Sequence, residues 1–244
     1  MTTQERIIER IDLVQAIFRD VLVRPLEDNL SELVTRLEEC DPEFLSLAYE
    51  AASYKIAVGK DLSIWKEFLL NYAKKHSVQV HIGLGWAAAR MNTPIEELTE
   101  FVSSENIRYV MDGSGFYYGT FKKRVAIENK QQYSNLGEFG AYFDEGLGRS
   151  IWYSSQGNLD EIEKTIDSFP VNRKPNIWRG IGIAFTYAGG FDLNTIISLK
   201  KNSGKFVEQV KAGVASVAKT RITAGTINDY TRLVCKEICD LTLE

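Results

Sequence analysis

The stretch "HIGLGWAAAR" (His81 to Arg90) decides the fold, because it fits two different structures. It is either the end of a strand that runs into a phosphate-binding loop, or a helix that contains two glycines. A second stretch, "RGIGIAFTYAGG" (Arg179 to Gly190), has a similar arrangement of small residues. The choice between the two structures determines whether the chain is expected to bind a nucleotide.

The nucleotide interpretation starts from "VQVHIGLGWAA" (78–88), which can be written as a strand followed by G-x-G-x-x-A. Three observations count against it. The chain lacks the alternating strands and helices of a parallel sheet. The second copy has Phe185 where the fingerprint needs a small residue for helix–strand packing. No convincing acidic residue closes a following strand. We therefore favour the helix.

In the helix interpretation, small residues recur one turn apart. Gly83 and Ala87 are four residues apart, as are Gly180 and Ala184. A glycine inside a helix costs about 1 kcal/mol relative to alanine, so its repeated use needs a reason. Small residues at this spacing make a flat helix face, which lets two helices approach closely or leaves space beside a ligand. Both interpretations of the flat face stay open at this point.

The composition describes an ordinary globular protein. Of 244 residues, 44% are hydrophobic and 25% are charged, and the net charge is -4. This charge gives no basic surface for nucleic acid. The N-terminal stretch lacks the apolar core of a signal peptide, and no apolar run approaches the roughly 20 residues of a membrane span. The odd, sparse set of cysteines is typical of a reducing compartment, so a cytoplasmic location is expected.

Helical periodicity dominates the chain, and the short stretch "SVQVHI" (77–82) is the best candidate for a strand. An offset of 97 residues aligns Gly83 with Gly180 and Gly85 with Gly182. We therefore predict an all-α fold of two pseudo-repeated helical halves, packed around glycine-rich central helices.

The predicted organisation is one compact domain with three parts. Residues 1–40 form N-terminal helices, residues 41–121 the first helical half and residues 138–244 the second. The basic, amide-rich "KKRVAIENKQQYSNLG" (122–137) has few large apolar residues and is predicted to be a linking loop.

Four segments carry a family resemblance: "IGLGWAAAR" (82–90), "DGSGFYYGTF" (112–121), "FDEGLGRSIWY" (143–153) and "WRGIGIAFTYAGG" (178–190). From about Glu43 to Leu241, the chain resembles a domain-of-unknown-function family of enediyne biosynthesis proteins, whose members accompany enediyne warhead genes. Relatives often carry a histidine where this chain has Tyr117. The resemblance implies a natural-product setting and does not name a reaction.

Large aromatic side chains lie in or beside the glycine-rich segments, where flat rings next to small residues can wall an apolar pocket. The predicted substrate-binding residues are Trp86, Phe116, Tyr117, Trp152, Trp178, Gly182 and Tyr187. The alternative is that most of the rings fill the space that the glycines leave.

Four charged residues within these apolar segments are the candidate catalytic groups: Asp112, Asp144, Glu145 and Arg149. A carboxyl group in an apolar pocket has a raised pKa and becomes a usable acid. The alternative is a buried ion pair that fixes the two halves together. In either case Arg149 is expected to be buried and paired with Asp112, Asp144 or Glu145.

Metal-binding patterns are absent. The chain has two histidines, His76 and His81, without a metal-ligand spacing, and Cys235 and Cys239 lack clear further ligands. Neither a metal nor an organic cofactor is therefore expected.

The expected function is binding of a long apolar polyene or isoprenoid-like intermediate, with cyclisation or isomerisation by cofactor-free acid–base chemistry. The alternative is a non-catalytic carrier or scaffold for partner biosynthetic enzymes. The expected partners are the apolar small molecule, and a second copy of the chain or such enzymes. Neither nucleic acid nor a membrane is among them.

Overall fold

In the computed structural model, the described residues are 2–25, 29–59, 61–131 and 137–243, and all their regular structure is helical. The all-α prediction is confirmed. The stretch 77–82, the best candidate for a strand, is the first part of a helix that continues through both glycines of "HIGLGWAAAR".

The helices follow one another closely along the chain. They are α1 (Thr3–Val23), α2 (Leu30–Leu37), α3 (Leu45–Gly59), α4 (Leu62–Asn71), α5 (Ser77–Met91), α6 (Ile95–Leu98), α7 (Ile107–Phe121), α8 (Gly140–Ser154), α9 (Leu159–Asp167), α10 (Lys174–Ala188), α11 (Leu193–Asn202), α12 (Val207–Ala224) and α13 (Asp229–Cys239). Within the predicted linker, Arg124–Glu128 forms a short π-helical turn, and residues 132–136 lie outside the described residues.

Polar side chains fix where several helices begin. Asp61 accepts a hydrogen bond from the backbone N–H of Ser63 at 2.7 Å and starts α4. Asn158 accepts one from the backbone N–H of Asp160 at 3.1 Å and starts α9. Each cap satisfies one of the backbone donors that a helix start leaves without a partner. The caps therefore place α4 and α9 at defined positions in the chain.

Six long helices pack in chain order, so that α3 contacts α5, α5 contacts α7, α7 contacts α8, α8 contacts α10 and α10 contacts α12. Glycines lie at the crossings. A Cβ on Gly85 would lie 2.0 Å from the carbonyl oxygen of Val110, and a Cβ on Gly113 would lie 2.0 Å from that of Ile82. No side chain fits at such a distance, so the flat faces serve the close approach of helix backbones.

Two spacings in the helix order agree with the predicted offset of 97 residues. Helices α5 and α10 have 15 residues each, and their first residues, Ser77 and Lys174, lie 97 positions apart. The caps Asp61 and Asn158 are separated by the same 97 positions. A structural superposition of residues 41–121 on 138–222 stays a prediction. We also expect α5 and α10 to lie close together; Gln79 on α5 does hydrogen-bond to Tyr187 on α10, although α7 and α8 lie between the two helices in the row of closest packing.

One apolar core extends through the chain, from Ile7 on α1 to Ile238 on α13. Helix α1 packs against α3 and also contacts α10, which connects the N-terminal part to both halves. Across the described ranges, no helix combines the length and the apolar character needed to cross a lipid bilayer.

Candidate functional site

A cavity of about 280 Å³ opens between α5, α7, α8, α10 and α12, and we call it the central cavity. Two buried carboxyl groups, those of Asp112 and Glu145, line its inner part. Apolar side chains such as Ile82 and Ile183 line it as well. Exposed cationic side chains surround its opening: Lys74, Lys75, Arg108 and Lys219. The cavity thus joins an apolar, acidic interior to a basic rim.

Another cavity, of about 410 Å³, lies between α1, α2 and α3. Although it is larger, most of its charged lining side chains, including Asp20, Arg24 and Glu39, are exposed to solvent. Burial shifts the acidity of an ionisable group towards values useful in catalysis. We therefore place the candidate site at the central cavity.

Glu145 on α8 is the carboxyl group best placed for proton transfer in the central cavity. Its Oε1 lies 3.1 Å from Nη1 of Arg179, and the residue is 6% exposed. Burial raises the pKa of Glu145 to about 7; the Arg179 charge opposes this shift and the Asp112 charge adds to it. A carboxyl group with a pKa near neutrality can both give and accept a proton in the same reaction.

Asp112 on α7 belongs to a buried ion cluster at the back of the cavity. Arg149 on α8 donates a hydrogen bond from Nη1 to Oδ1 of Asp112, and its Nη2 lies 3.7 Å from Oε1 of Glu50. Its guanidinium also lies 4.8 Å from the ring centre of Phe116. The predicted burial of Arg149 and its pairing with Asp112 are confirmed. One arginine between two carboxylates leaves an excess negative charge if both are ionised.

Glu50 on α3 is the residue of this cluster that sequence reasoning missed. Burial raises its pKa to about 7; Arg149 opposes this shift and Asp112 adds to it. A signal was present, because Glu50 is the single charged residue in "LSLAYEAASY" (45–54). An isolated acid in an otherwise apolar helix predicts a buried carboxyl group with a partner elsewhere in the fold.

Asp144 is not part of this cluster, although it precedes Glu145 in the chain. Nε of Arg173 lies 3.0 Å from both of its carboxylate oxygens, and the same arginine donates to the carbonyl oxygen of Lys130 at 2.9 Å. Consecutive residues of a helix point about 100° apart, which turns Asp144 away when Glu145 faces the cavity. Its position therefore corresponds to the structural alternative, an ion pair that fixes α8 to the start of α10.

Three of the predicted substrate-binding aromatics form a separate cluster beside α1. The ring centre of Trp86 lies 4.8 Å from that of Phe116, 6.3 Å from that of Tyr117 and 4.9 Å from that of Phe18. None of these rings lines the central cavity. Here the rings pack on one another, as the alternative interpretation expected.

The other predicted substrate-binding residues lie partly in the core and partly at the central cavity. Trp152 is fully buried against Phe185, at 5.3 Å between ring centres, and Trp178 is also buried. A Cβ on Gly182 would lie 2.5 Å from the carbonyl oxygen of Val210, so Gly182 packs against α12. Of the predicted set, Tyr187 alone lines the central cavity.

Behind the central cavity lies a smaller one of about 30 Å³, which we call the inner chamber. The two share Gln79 and Tyr187, and Nε2 of Gln79 donates a hydrogen bond to the Tyr187 hydroxyl. Burial raises the pKa of Tyr187 to about 12, although the Arg221 charge opposes this shift. The Gln79–Tyr187 pair therefore separates the two spaces as a neutral hydrogen bond at ordinary pH.

Within the described ranges, no three or more histidine, cysteine, aspartate or glutamate side chains are grouped so that they could hold a metal ion. The polar groups that line the central cavity include the carboxyls of Asp112 and Glu145, the Tyr187 hydroxyl and the cationic rim.

No curated protein and no solved structure matches the chain. One family model does match, over residues 3–244, and its description is "Protein of unknown function (DUF1702)". This match covers the α8 and α10 segments with Glu145, Arg149 and Tyr187, as well as the first half. The chain therefore belongs to the DUF1702 family.

Proposed function

We propose that this chain is a natural-product biosynthesis protein that binds an unsaturated, polyene or isoprenoid-like intermediate in the central cavity and isomerises or cyclises it by proton transfer. The observation that carries the proposal is the position of Glu145, a buried carboxyl group with a pKa near 7 on the wall of that cavity. The resemblance to enediyne biosynthesis proteins supports the natural-product setting.

The proposed step uses one carboxyl group in two protonation states. Protonated Glu145 gives its proton to one carbon of the conjugated system, and the double bonds shift. The resulting carboxylate, or that of Asp112, then takes a proton from another carbon. The number of protons on the ligand is unchanged, so the reaction consumes no oxidant or reductant. The ring of Tyr142, which also lines the cavity, can stabilise positive charge that develops on the ligand.

The cavity also constrains the ligand. A volume of about 280 Å³ lies at the small end of the roughly 300–1,000 Å³ typical of ligand pockets. A long chain therefore enters only in part, and the remainder leaves through the opening. Since the cavity joins an apolar interior to cationic groups, the proposed ligand is amphiphilic and carries an acidic group, and its conjugated part lies beside Glu145.

The test uses cis-parinaric acid, a conjugated tetraene with a carboxylic acid, as the probe in D₂O. We expect its fluorescence to rise on binding, and we expect deuterium on its carbon atoms by mass spectrometry. Glu145→Gln should bind the probe and lose the exchange, whereas Glu163→Gln, on the exposed face of α9, should keep both. Failure of the unaltered chain to bind the probe would contradict the proposal.

The second candidate function is a non-catalytic carrier. It is favoured by the Glu145–Arg179 ion pair, because a carboxylate held by an arginine can be purely structural. A carrier would bind cis-parinaric acid without placing deuterium on it, and Glu145→Gln would then change stability and leave the probe unaltered.

A further inference from the structure

Arg221 on α12 is 1% exposed, and no carboxylate lies within ion-pair distance of it in the part of the chain that the structure describes. The other two buried arginines differ. Arg149 contacts Asp112 and Glu50, and Arg173 contacts Asp144. A buried guanidinium stays charged, so it needs an anion to balance it. For Arg221 the described residues supply none.

The hydrogen bonds of Arg221 are few and long, and its guanidinium lies 5.3 Å from the ring centre of Tyr187. Its Nη1 donates to the carbonyl oxygen of Thr226 at 3.3 Å, and its Nη2 donates to that of Tyr187 at 3.5 Å. Its buried Nε has no hydrogen-bond partner, and neither has the buried Oγ1 of Thr226. Arg221 and Thr226 both line the inner chamber. Two polar groups that can donate hydrogen bonds thus line one small space, and neither has a partner at hydrogen-bond distance.

The two acids that line the inner chamber are held by other residues. The carboxylate of Glu43 accepts hydrogen bonds from Arg10 and, at 3.0 Å, from Nδ2 of Asn228. Glu50 lies 3.7 Å from Arg149. Burial lowers the pKa of Arg221, whereas the pKa of Arg149 between its two carboxylates is raised in spite of burial. The charge of Arg221 is therefore the one left to be balanced from outside the chain.

We propose that the inner chamber is a binding site for one carboxylate group, which pairs with Arg221 and accepts a further hydrogen bond from Thr226. The chamber volume of about 30 Å³ gives room for about two water-sized groups, which matches the two oxygens of a carboxylate. Nε and a terminal nitrogen of a guanidinium can hold both oxygens at once.

The carboxylate has two possible sources, and both have the same chemistry. One is a small free carboxylate such as acetate. The other is the acidic head group of the ligand proposed for the central cavity, which would enter once the Gln79–Tyr187 hydrogen bond opens. Only the second source rests on the proposed function.

The first arm of the test measures the melting temperature in sodium acetate and in sodium chloride at equal ionic strength. A ligand that binds only the folded state raises this temperature. We expect acetate to raise it above the chloride value for the unaltered chain and not for Arg221→Met. Lys219→Met, at the cationic rim, is the matched control and should keep the acetate effect. An equal acetate effect in the unaltered chain and in Arg221→Met would overturn the assignment to Arg221.

The second arm compares cis-parinaric acid with its uncharged methyl ester. If the head group enters the chamber, Arg221→Met should weaken binding of the acid about tenfold or more and leave the ester within about twofold. If Lys219→Met instead loses binding of the acid, the head group lies at the rim, and the ligand is not the source of the carboxylate in the chamber. If the unaltered chain binds neither compound, the proposed function fails, and the acetate arm alone decides whether the chamber binds a carboxylate.

The melting temperatures of the variants without ligand show whether a variant has lost binding only because it is misfolded. Because Arg221 is an unbalanced buried charge, Arg221→Met should unfold at the same or a higher temperature than the unaltered chain in chloride. Arg173→Met, which strands the buried Asp144, should unfold at a lower temperature. A large loss of stability in Arg221→Met, comparable with that of Arg173→Met, would show that Arg221 is already balanced within the chain and would overturn the proposal.

Discussion

Arg149 on α8 and Asp112 on α7 form a buried ion pair across the interface of the two helices that join the halves of the chain, and each is less than a tenth exposed. Removing the arginine alone would leave Asp112 and Glu50 close together without their cation. Arg149→Ala should therefore lower the free energy of unfolding by on the order of 3–5 kcal/mol, measured by urea denaturation. Arg108→Ala, at the exposed rim, is the control. An unchanged midpoint in Arg149→Ala would contradict the ion cluster.

For a glycine at a helix crossing, helix propensity and close packing predict opposite effects of an alanine substitution on stability. By helix propensity alone, Gly85→Ala would stabilise α5 by about 1 kcal/mol. Because a Cβ there would lie 2.0 Å from the carbonyl oxygen of Val110, we expect a loss of roughly 1–3 kcal/mol instead. Ala212→Gly, at an exposed position of α12, measures the propensity effect in the same protein. A more stable Gly85→Ala protein would show that α5 and α7 are not in such close contact.

The raised pKa values of Glu50 and Glu145 predict a pH dependence of stability. Burial raises the pKa of each carboxyl from its ordinary 4.5 to about 7, so the folded state holds more protons than the unfolded state between these pH values. Stability contributed by the protonated groups is thus present below pH 4.5 and is lost as the pH rises to about 7, by up to about 3 kcal/mol for each group.

Glu50→Gln and Glu145→Gln should each reduce the loss of stability that accompanies the rise from pH 4.5 to about 7. Relative to the unaltered chain, each variant should gain stability as the pH is raised from 4.5 to 7, in chemical denaturation at a series of pH values. The comparison must be relative because buried His76, whose pKa is lowered to about 4 chiefly by burial, acts with the opposite sign at acidic pH. A difference that does not depend on pH would mean that neither carboxyl group is protonated in the folded state near neutrality.

The structure predicts different roles for the consecutive acids Asp144 and Glu145. Asp144→Asn should weaken the pairing with Arg173 and lower stability by about 1–3 kcal/mol, because a buried arginine then loses its anion. It should leave the affinity for cis-parinaric acid unchanged in the folded fraction, since Asp144 does not line the central cavity. If Asp144→Asn keeps its native stability but loses probe binding, Asp144 belongs to the binding site, and the structural role is wrong.

Much of the fold could be predicted from the spacing of small residues. Gly83 with Ala87 and Gly180 with Ala184 indicated helices that pack closely, and both stretches lie in helices. The direction of packing could not be predicted, because a flat face is equally suited to any other flat face. Which helix lies against α5 depends on the intervening α7, whose own glycines, such as Gly113, make the closest contacts with it.

The candidate site was predictable only in part. Charged residues in apolar segments correctly pointed to the pairing of Arg149 with Asp112. The sequence could not show which of Asp144 and Glu145 faces the cavity, because this depends on how the neighbouring helices pack around α8. For the same reason the sequence did not indicate which rings line the central cavity: Trp86 and Trp152 are beside glycines in the chain, yet they pack against other rings and do not line it.

The chain-ordered packing of the six long helices has a consequence for how the protein forms. Because each helix of the row packs against the next one along the chain, most contacts between these helices join neighbouring parts of the sequence and can form early, while the C-terminal part is still being synthesised. The cavities, unlike these local contacts, need residues that are far apart in the sequence. Gln79 comes from the first half of the chain, and Tyr187 and Arg221 come from the second. The nascent chain therefore gains its helical framework gradually, but it acquires its binding spaces in a single late step, when α12 docks.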